Sequence, residues 1–412
     1  MELEDERNWE RLTPYEQIVD LHFDYGTGER RCIGATIDDR LYGVFEFDCT
    51  EPGDAAIIDL IYSEPIQRLG LIEQLTLPKQ YATKPEAADF TRLEHSIGTM
   101  LLTRKLGGSH EQQIRALLHD AAVTAFSHLG DWLQQGMGGA DSYHDSIQTH
   151  YLKQWGVDKL LAEHGFDLGE IIDHNVKDFV ERDGPDLCVD RVDYALREFI
   201  RWTCPEEVPS LIDDLAVAED MIVFKSQQSA RIFSHNYLKL YSQHWAEPEH
   251  AVREKLLFEQ IKYGLDKGIL NYEDMYVIDS YVMVKLELWG DKVTWFIEGL
   301  LGSAQLSFQV LNGPKEAFSR ETFIQDKTGL YFEMSDFKRR WVDPSIVDED
   351  GHRTPLSWID GDHRRETEAF QVTTSTSNLN KGRFQEDDQV QYVRIEVDED
   401  VKNWLLAIDG FM

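Results

Sequence analysis

Two histidines and two aspartates in this sequence stand where their types and spacing could hold a metal ion. His95 lies in RLEHSIGTMLLTRKL, His119 and Asp120 close IRALLHD, and Asp190 opens DRVDYALREFI. Apolar residues recur near i, i+3, i+4 and i+7 in each stretch, so these polar groups fall on helices with a buried face. A single buried histidine reads as readily as a satisfied core residue, and Asp190 taken alone reads as a helix cap or a solvated position. Their joint occurrence is what points to a cation. Two imidazoles with carboxylates form a mixed nitrogen and oxygen set, suited to Mn, Fe, Mg, Ni or Zn rather than to a thiolate-bound ion. Asp190 and Asp193, three residues apart, occupy neighbouring faces of one helix that Val189, Val192, Leu196 and Phe199 would bury.

The elements that must position these groups follow from the same periodicity. HSIGTMLLTRKL, IRALLHDAAVTAF, HDSIQTHYLKQW, DRVDYALREFIRW, RIFSHNYLKLYSQHW and REKLLFEQIKYGLDKGIL all carry helical spacing, which makes residues 61–302 a helical core. Residues 1–60 form a lead-in: from Ile33 to about Ile61 the text alternates, with Gly43 and the Pro52-Gly53 pair as punctuation, predicting a short hairpin. Residues 303–412 read as a C-terminal α+β portion. There YFEM, FQVTTSTS and VQYVRIEV are predicted strands and IVDEDGHRTPLSWIDGDHRRETE a polar loop. The predicted class is therefore mainly α, with a smaller α+β C-terminal portion and a short N-terminal β lead-in.

Composition narrows the function classes. The 412-residue chain carries 76 acidic against 41 basic residues, a formal charge of -35, which repels nucleic-acid backbones and anionic membranes at long range. A polyanionic ligand must then find a local basic pocket or a metal. No window approaches the roughly 18 uninterrupted apolar residues of a membrane span. The four cysteines, Cys32, Cys49, Cys188 and Cys204, form no CxxC pair, and the opening MELEDERNWERLTPYEQ is acidic where an export signal is basic. A cytoplasmic protein with four structural thiols is the expectation.

The ordered words IQRLGLIEQL, TRLEHSIGTMLL, LLHD with FSH, YH and VDRVDY resemble the HD-domain metal-dependent phosphohydrolases, and within them the deoxynucleoside triphosphate triphosphohydrolases, roughly over residues 64–202. The resemblance implies that His95, His119, Asp120 and Asp190 hold one divalent cation. It implies that Arg92 touches the phosphate nearest the sugar, that Arg191 and Tyr194 contact phosphate oxygens, that Gln74 sits near the sugar and that Glu198 faces the 3′ hydroxyl. His144, Asp131 and His128 would be catalytic, His144 as acid or base near the scissile bond. For His144 the plain alternative is an exposed loop histidine after the Gly-rich QQGMGGADS. The partner implied is a nucleotide substrate, and a homo-oligomer is expected by analogy.

One departure from the family pattern bears on activity. Where HD-x-GH is usual, this chain has HDAAV, so Ala122 replaces Gly and Val123 replaces His, while Ala125 stands where Pro is common. Loss of a positioned acid or base typically costs about 10²- to 10⁴-fold in rate. The departure leaves room for removal of single phosphates from nucleotides, for action on another phosphoester or for a nucleotide-binding regulator, and for a water or a histidine from elsewhere, such as His110 or His150, to fill the gap.

Overall fold

Why the chain folds as it does is clearest at the helix starts. Thr91 and Ser109 each form a reciprocal capping box, with Glu94 and Gln112 three residues on, and so satisfy donors that a helix N-terminus leaves open. The computed structural model describes residues 19–24, 31–82, 90–135, 143–303, 306–314, 323, 325–333, 340–374, 389–399 and 402–403. The helices, in chain order, are α1 (Pro52–Ile61), α2 (Glu64–Gln67), α3 (Arg92–Lys105), α4 (His110–Leu118), α5 (Leu129–Gln135), α6 (Tyr143–Gln154), α7 (Val157–Glu163), α8 (Leu168–Ile171), α9 (Val189–Trp202), α10 (Val208–Asp214), α11 (Gln227–Leu240), α12 (Pro248–Asp266), α13 (Asp279–Trp289) and α14 (Lys292–Leu301), with two further helices at Leu356–Ile359 and Gly361–Thr374. The described residues are mainly α, as the sequence predicts, and carry three small sheets.

The predicted hairpin is present as β2 (Arg31–Asp39) and β3 (Gly43–Phe47), and β1 (Val19–Asp24) pairs antiparallel with β2 to make a three-stranded sheet. Residues beyond Pro52, which the alternation assigns to the hairpin, are helix α1: proline fits the first turn of a helix, where its missing N–H is not needed. A second sheet has the order β6 (Phe308–Pro314), β10 (Gln389–Glu396), β7 (Gly329–Glu333), all antiparallel, and contains the predicted strands VQYVRIEV and YFE.

The third sheet corrects the sequence reading. Strands β4 (Leu215–Ala218) and β5 (Met221–Phe224) form a hairpin whose two turn residues, Glu219 and Asp220, both have positive φ, as a primed two-residue turn requires. Strand β8 (Ser345–Val347) pairs parallel with β5, and β9 (Arg353–Pro355) pairs antiparallel with β8. The segment expected to be a polar loop thus holds most of two strands and of two helices, its order supplied by a distant hairpin. FQVTTSTS reads as a strand, yet its described residues, Phe370 to Thr374, end the helix Gly361–Thr374; the rest lies outside the described residues.

Two apolar clusters form the core. The first joins the hairpin, α1, α3, α4, α6, α7, α9 and α11, and takes in Val342 and Leu356 from far along the chain. The second packs α12, α13 and α14 against β6, β7 and β10, and reaches back to Ala125, Phe126 and Leu129. No described helix is long and apolar enough to cross a membrane.

Candidate metal centre

Helices α3, α4 and α9 bring the four expected ligands to one point. His95 leaves the first turn of α3, His119 is the residue that ends α4 with Asp120 next in the chain, and Asp190 stands in the first turn of α9. His95 Nε2 lies 3.0 Å from Asp190 Oδ1 and 3.2 Å from His119 Nε2; His119 Nε2 lies 3.2 Å from Asp120 Oδ2. Two further separations are 3.7 Å from His119 Nε2 to Asp190 Oδ1 and 3.8 Å from His95 Nε2 to Asp120 Oδ2. Ligands bound at about 2.0–2.2 Å to a single ion are spaced on this scale.

The outer nitrogens fix which atoms face inward. His95 Nδ1 donates to Asp193 Oδ2 at 2.8 Å, and His119 Nδ1 donates to the Ala116 carbonyl at 2.7 Å. Both Nε2 lone pairs are then directed at each other and at two carboxylates. Four acceptors facing one another repel unless a cation stands among them, so the donor set fits a divalent ion of the nitrogen and oxygen class. The carboxylates hold their charge: burial works against ionisation of Asp190 and Asp120, and the neighbouring imidazoles, with Arg92 beside Asp120, outweigh it and push both pKa values down. Burial likewise opposes charge on His119, yet Asp120 and Asp190 raise it to about 10. A proton is held there in the way a metal would be.

Asp193 is the ring's second clamp. Asp190 and Asp193 bracket the two nitrogens of the same imidazole, one from each edge. Asp193 is fully buried and also takes a hydrogen bond from Tyr42 Oη at 2.9 Å and an ion pair from Arg197 Nε at 2.9 Å, while Arg197 reaches Asp39 at 2.9 Å. The hairpin β2–β3 therefore holds the candidate ligand His95 through α9. The contact needs Gly98: a Cβ there would collide with the Asp193 carboxylate and the Arg197 guanidinium. Sequence reading notes Asp193 only by its spacing from Asp190; Asp39, Tyr42 and Arg197 carry no sequence signal because their meeting is long-range.

A second polar group stands beside the first. His144 Nδ1 donates to Asp131 Oδ2 at 2.9 Å, and His128 Nδ1 approaches the same oxygen at 3.2 Å. His144 Nε2 is left facing Asp145 Oδ1 at 3.3 Å and Asp120 Oδ1 at 3.7 Å. His144 is buried near the start of α6, not an exposed loop residue. Burial lowers its pKa, but the hydrogen bond and charge of Asp131, with Asp145 and Asp120, raise it above the ordinary histidine range. For His128 the balance goes the other way: burial and the Arg92 charge hold it low. The two rings are thus shifted in opposite directions beside one carboxylate.

The loop between α4 and α5 carries this group on an unusual backbone. Phe126 and Ser127 both have positive φ, a conformation that costs a non-glycine residue roughly 1–3 kcal/mol. The bend is held from several sides: Asp279 accepts from the Phe126 N–H at 2.7 Å, Ser127 Oγ donates to the Glu73 carbonyl at 2.6 Å, and the Ala125 N–H donates to the Met275 carbonyl at 2.7 Å. It turns the chain so that His128 and Asp131 come back to the centre.

The other expected residues are placed less simply. Arg92 is buried, donating to Asp120, to Ser127 Oγ at 2.9 Å and to the Gln74 carbonyl at 3.0 Å. Gln74 is buried beside it. Tyr194 lies with its ring centre 6.3 Å from that of His95, and Arg191 donates to the Asp186 and Arg182 carbonyls. Glu198 lies deeper, 3.5 Å from both Trp245 Nε1 and His244 Nε2, where burial pushes its carboxyl up to about 8. Val123 is fully buried in the first cluster, with Arg68 donating to its carbonyl. Neither expected substitute fills in for a histidine there: His110 pairs with Asp54 at 3.0 Å and His150 with Gln154 at 3.0 Å. Their helices aim them elsewhere.

No protein-family model matches the chain. The chain is similar to the uncharacterized protein YdhJ of Bacillus subtilis, 30% identical over 317 residues that cover 76% of this chain and 89% of that protein. It is also 30% identical over 222 residues to the metal-dependent phosphohydrolase cns2 of Cordyceps militaris, covering 52% of this chain and 61% of that protein. Among solved structures, a phosphohydrolase from Bacteroides thetaiotaomicron superposes with a TM-score of 0.57 at 16% identity, over 88% of this chain and 99% of that one. A hypothetical protein from Aquifex aeolicus does so with a TM-score of 0.60 at 18% identity, over 90% and 98%. At such identities the structural likeness concerns the fold.

Proposed function

The chain belongs to the same protein family as YdhJ of Bacillus subtilis, and we propose that it is a metal-dependent phosphohydrolase of the HD type whose substrate is a deoxynucleoside triphosphate. The observation that carries the phosphohydrolase reading is the convergence of His95, His119, Asp120 and Asp190 beside a separate His144–Asp131 pair. A relative described as a metal-dependent phosphohydrolase supports it. The choice of a deoxynucleoside triphosphate rests on the resemblance carried by residues 64–202.

His95, His119, Asp120 and Asp190 would hold the cation. When bound, such an ion polarises a phosphoryl oxygen and lowers the pKa of water. The protein's own side chains do the rest. His144, whose pairing with Asp131 favours its protonated form, would offer Nε2–H to the ester oxygen as the bond from phosphorus to that oxygen breaks and water's oxygen bonds to phosphorus; the proton that water gives up then returns to His144 Nε2 or to solvent. Asp131 fixes the ring so that Nδ1 stays the donor to it and Nε2 the working nitrogen. His128, whose proton burial and the Arg92 charge disfavour, shares the same carboxylate. Arg191 and Tyr194 would contact phosphate oxygens, for which a guanidinium fork is matched in shape.

One observation favours a second reading. Val123 is buried in the apolar core and offers no acid, base or hydrogen bond to a phosphate chain, which favours removal of single phosphates over release of a whole tripolyphosphate. Product analysis by ion-exchange chromatography separates the two, with each common dNTP and NTP, Mn or Mg, and an Asp120→Ala control. Tripolyphosphate and nucleoside, absent in the control, are the expected products. Stepwise single phosphates would establish the second reading. Tight nucleotide binding without turnover would remove both.

A further inference from the structure

Two guanidinium groups stand beside the metal centre, and neither has a carboxylate partner among the described residues. Arg191 directly follows Asp190 and spends its donors on main-chain oxygens of Asp186 and Arg182 and on the Cys188 sulfur. Arg340 comes from the other end of the chain. Its Nη1 lies 3.4 Å from Tyr194 Oη, and its guanidinium carbon 5.8 Å from the centre of the Tyr194 ring. Tyr194 in turn stands next to His95 and shares a hydrogen bond with Tyr237. Arg340, Arg191 and Asp190 are near enough for their charges to act on one another.

The backbone that carries Arg340 is rooted. Val342 is fully buried in the first apolar cluster, and the Asp343 N–H donates to the Pro185 carbonyl at 3.0 Å. Ser234 Oγ donates to the Val342 carbonyl at 3.2 Å; His363 lies between Ser234 Oγ, at 3.2 Å, and Asp343 Oδ1, at 3.1 Å. These contacts tie residues 342 and 343 to α11 and to the helix Gly361–Thr374. A guanidinium two residues from such an anchor is delivered to a defined place. Removing two like charges from water costs free energy unless an anion offsets them.

We propose that Arg340, together with Arg191, binds the phosphoryl oxygens of the substrate that the cation does not hold, so that the C-terminal portion of the chain completes the active site. This rests on the phosphohydrolase reading. It gives the segment 340–347 a direct part in binding and makes Arg340 a determinant of how many phosphates the site grips.

The test measures binding of inorganic tripolyphosphate by titration calorimetry to the full chain in EDTA, for wild type, Arg340→Gln and Arg340→Lys, with thermal melting as the folding control. Arg340→Gln is expected to weaken binding roughly 10- to 100-fold, and Arg340→Lys to restore part of it, since a point charge replaces a fork. On metal-loaded protein the same Gln variant should raise KM far more than it lowers kcat. Wild-type affinity in Arg340→Gln would overturn the inference, as would a loss that lysine does not relieve in a folded variant. Turnover with unchanged KM in Arg340→Gln removes this inference and leaves the hydrolase. No turnover of any phosphoester, with tripolyphosphate binding still dependent on the charge at 340, removes the hydrolase and leaves the anion site.

Discussion

His95 shows what a single residue needs in order to be a ligand here. Its Nδ1 is committed to Asp193, so its Nε2 is free for a cation, and Asp193 is in turn held by Tyr42 and Arg197. Outer partners of this kind typically alter metal affinity 10- to 100-fold. Asp193→Asn should therefore lower the affinity for Mn by roughly that factor, read by calorimetry or by metal content after dialysis; unchanged affinity would show that the bracket on His95 is idle. His144 poses the complementary question. His144→Gln should leave metal content intact while slowing turnover by about 10²- to 10⁴-fold, and a variant as fast as wild type would take the proton-transfer role away from it.

Between elements, the decisive contact is the crossing of α3 over α9. Gly98 lets Asp193 and Arg197 lie against α3, where any Cβ would collide with both. Alanine is the better helix former by about 1 kcal/mol, so propensity alone predicts that Gly98→Ala stabilises. The close approach predicts the opposite, because both side chains are fully buried and ion-paired and cannot swing aside. Urea unfolding decides: a lower midpoint, with weaker metal binding, is expected. The hairpin β2–β3 supplies the far end of the same relay. Tyr42→Phe removes a hydrogen bond to a buried carboxylate, a change worth about 1.5–3 kcal/mol, and the same unfolding experiment should report a loss of that order.

At the scale of the molecule, charge and burial set the response to solution conditions. A formal charge of -35 repels itself in the folded state. Raising ionic strength should raise the melting temperature until screening saturates, and a melting temperature that falls with salt would contradict this. Glu198 adds a pH dependence of known sign. Burial raises its folded-state pKa to about 8 from an ordinary 4.5, so folding binds its proton. The stability it contributes is complete below about pH 4.5 and is lost as pH rises toward 8, at up to roughly 1.4 kcal/mol per pH unit. Subtracting the Glu198→Gln profile from wild type between pH 5 and 8 should isolate that slope; parallel profiles would exclude it.

The helices, their apolar faces and the four candidate ligands His95, His119, Asp120 and Asp190 are legible in the sequence, because 3.6-residue periodicity and local capping are written in neighbouring residues. What they line up against is not. Reading residues 346–368 as a loop misses β8 and β9: β8 takes its strand character from pairing with β5, more than a hundred residues earlier, and β9 from pairing with β8. His110 and His150 look able to stand in for the histidine absent at 123, yet the directions of α4 and α6 carry them to Asp54 and Gln154. Tyr42, Arg197 and Arg340 give no signal at all, since nothing local marks a residue whose partner is distant in the chain. The sequence alone determined which groups could bind a cation; tertiary packing decided which nitrogen each imidazole presents, what holds it there, and which guanidinium groups stand beside it.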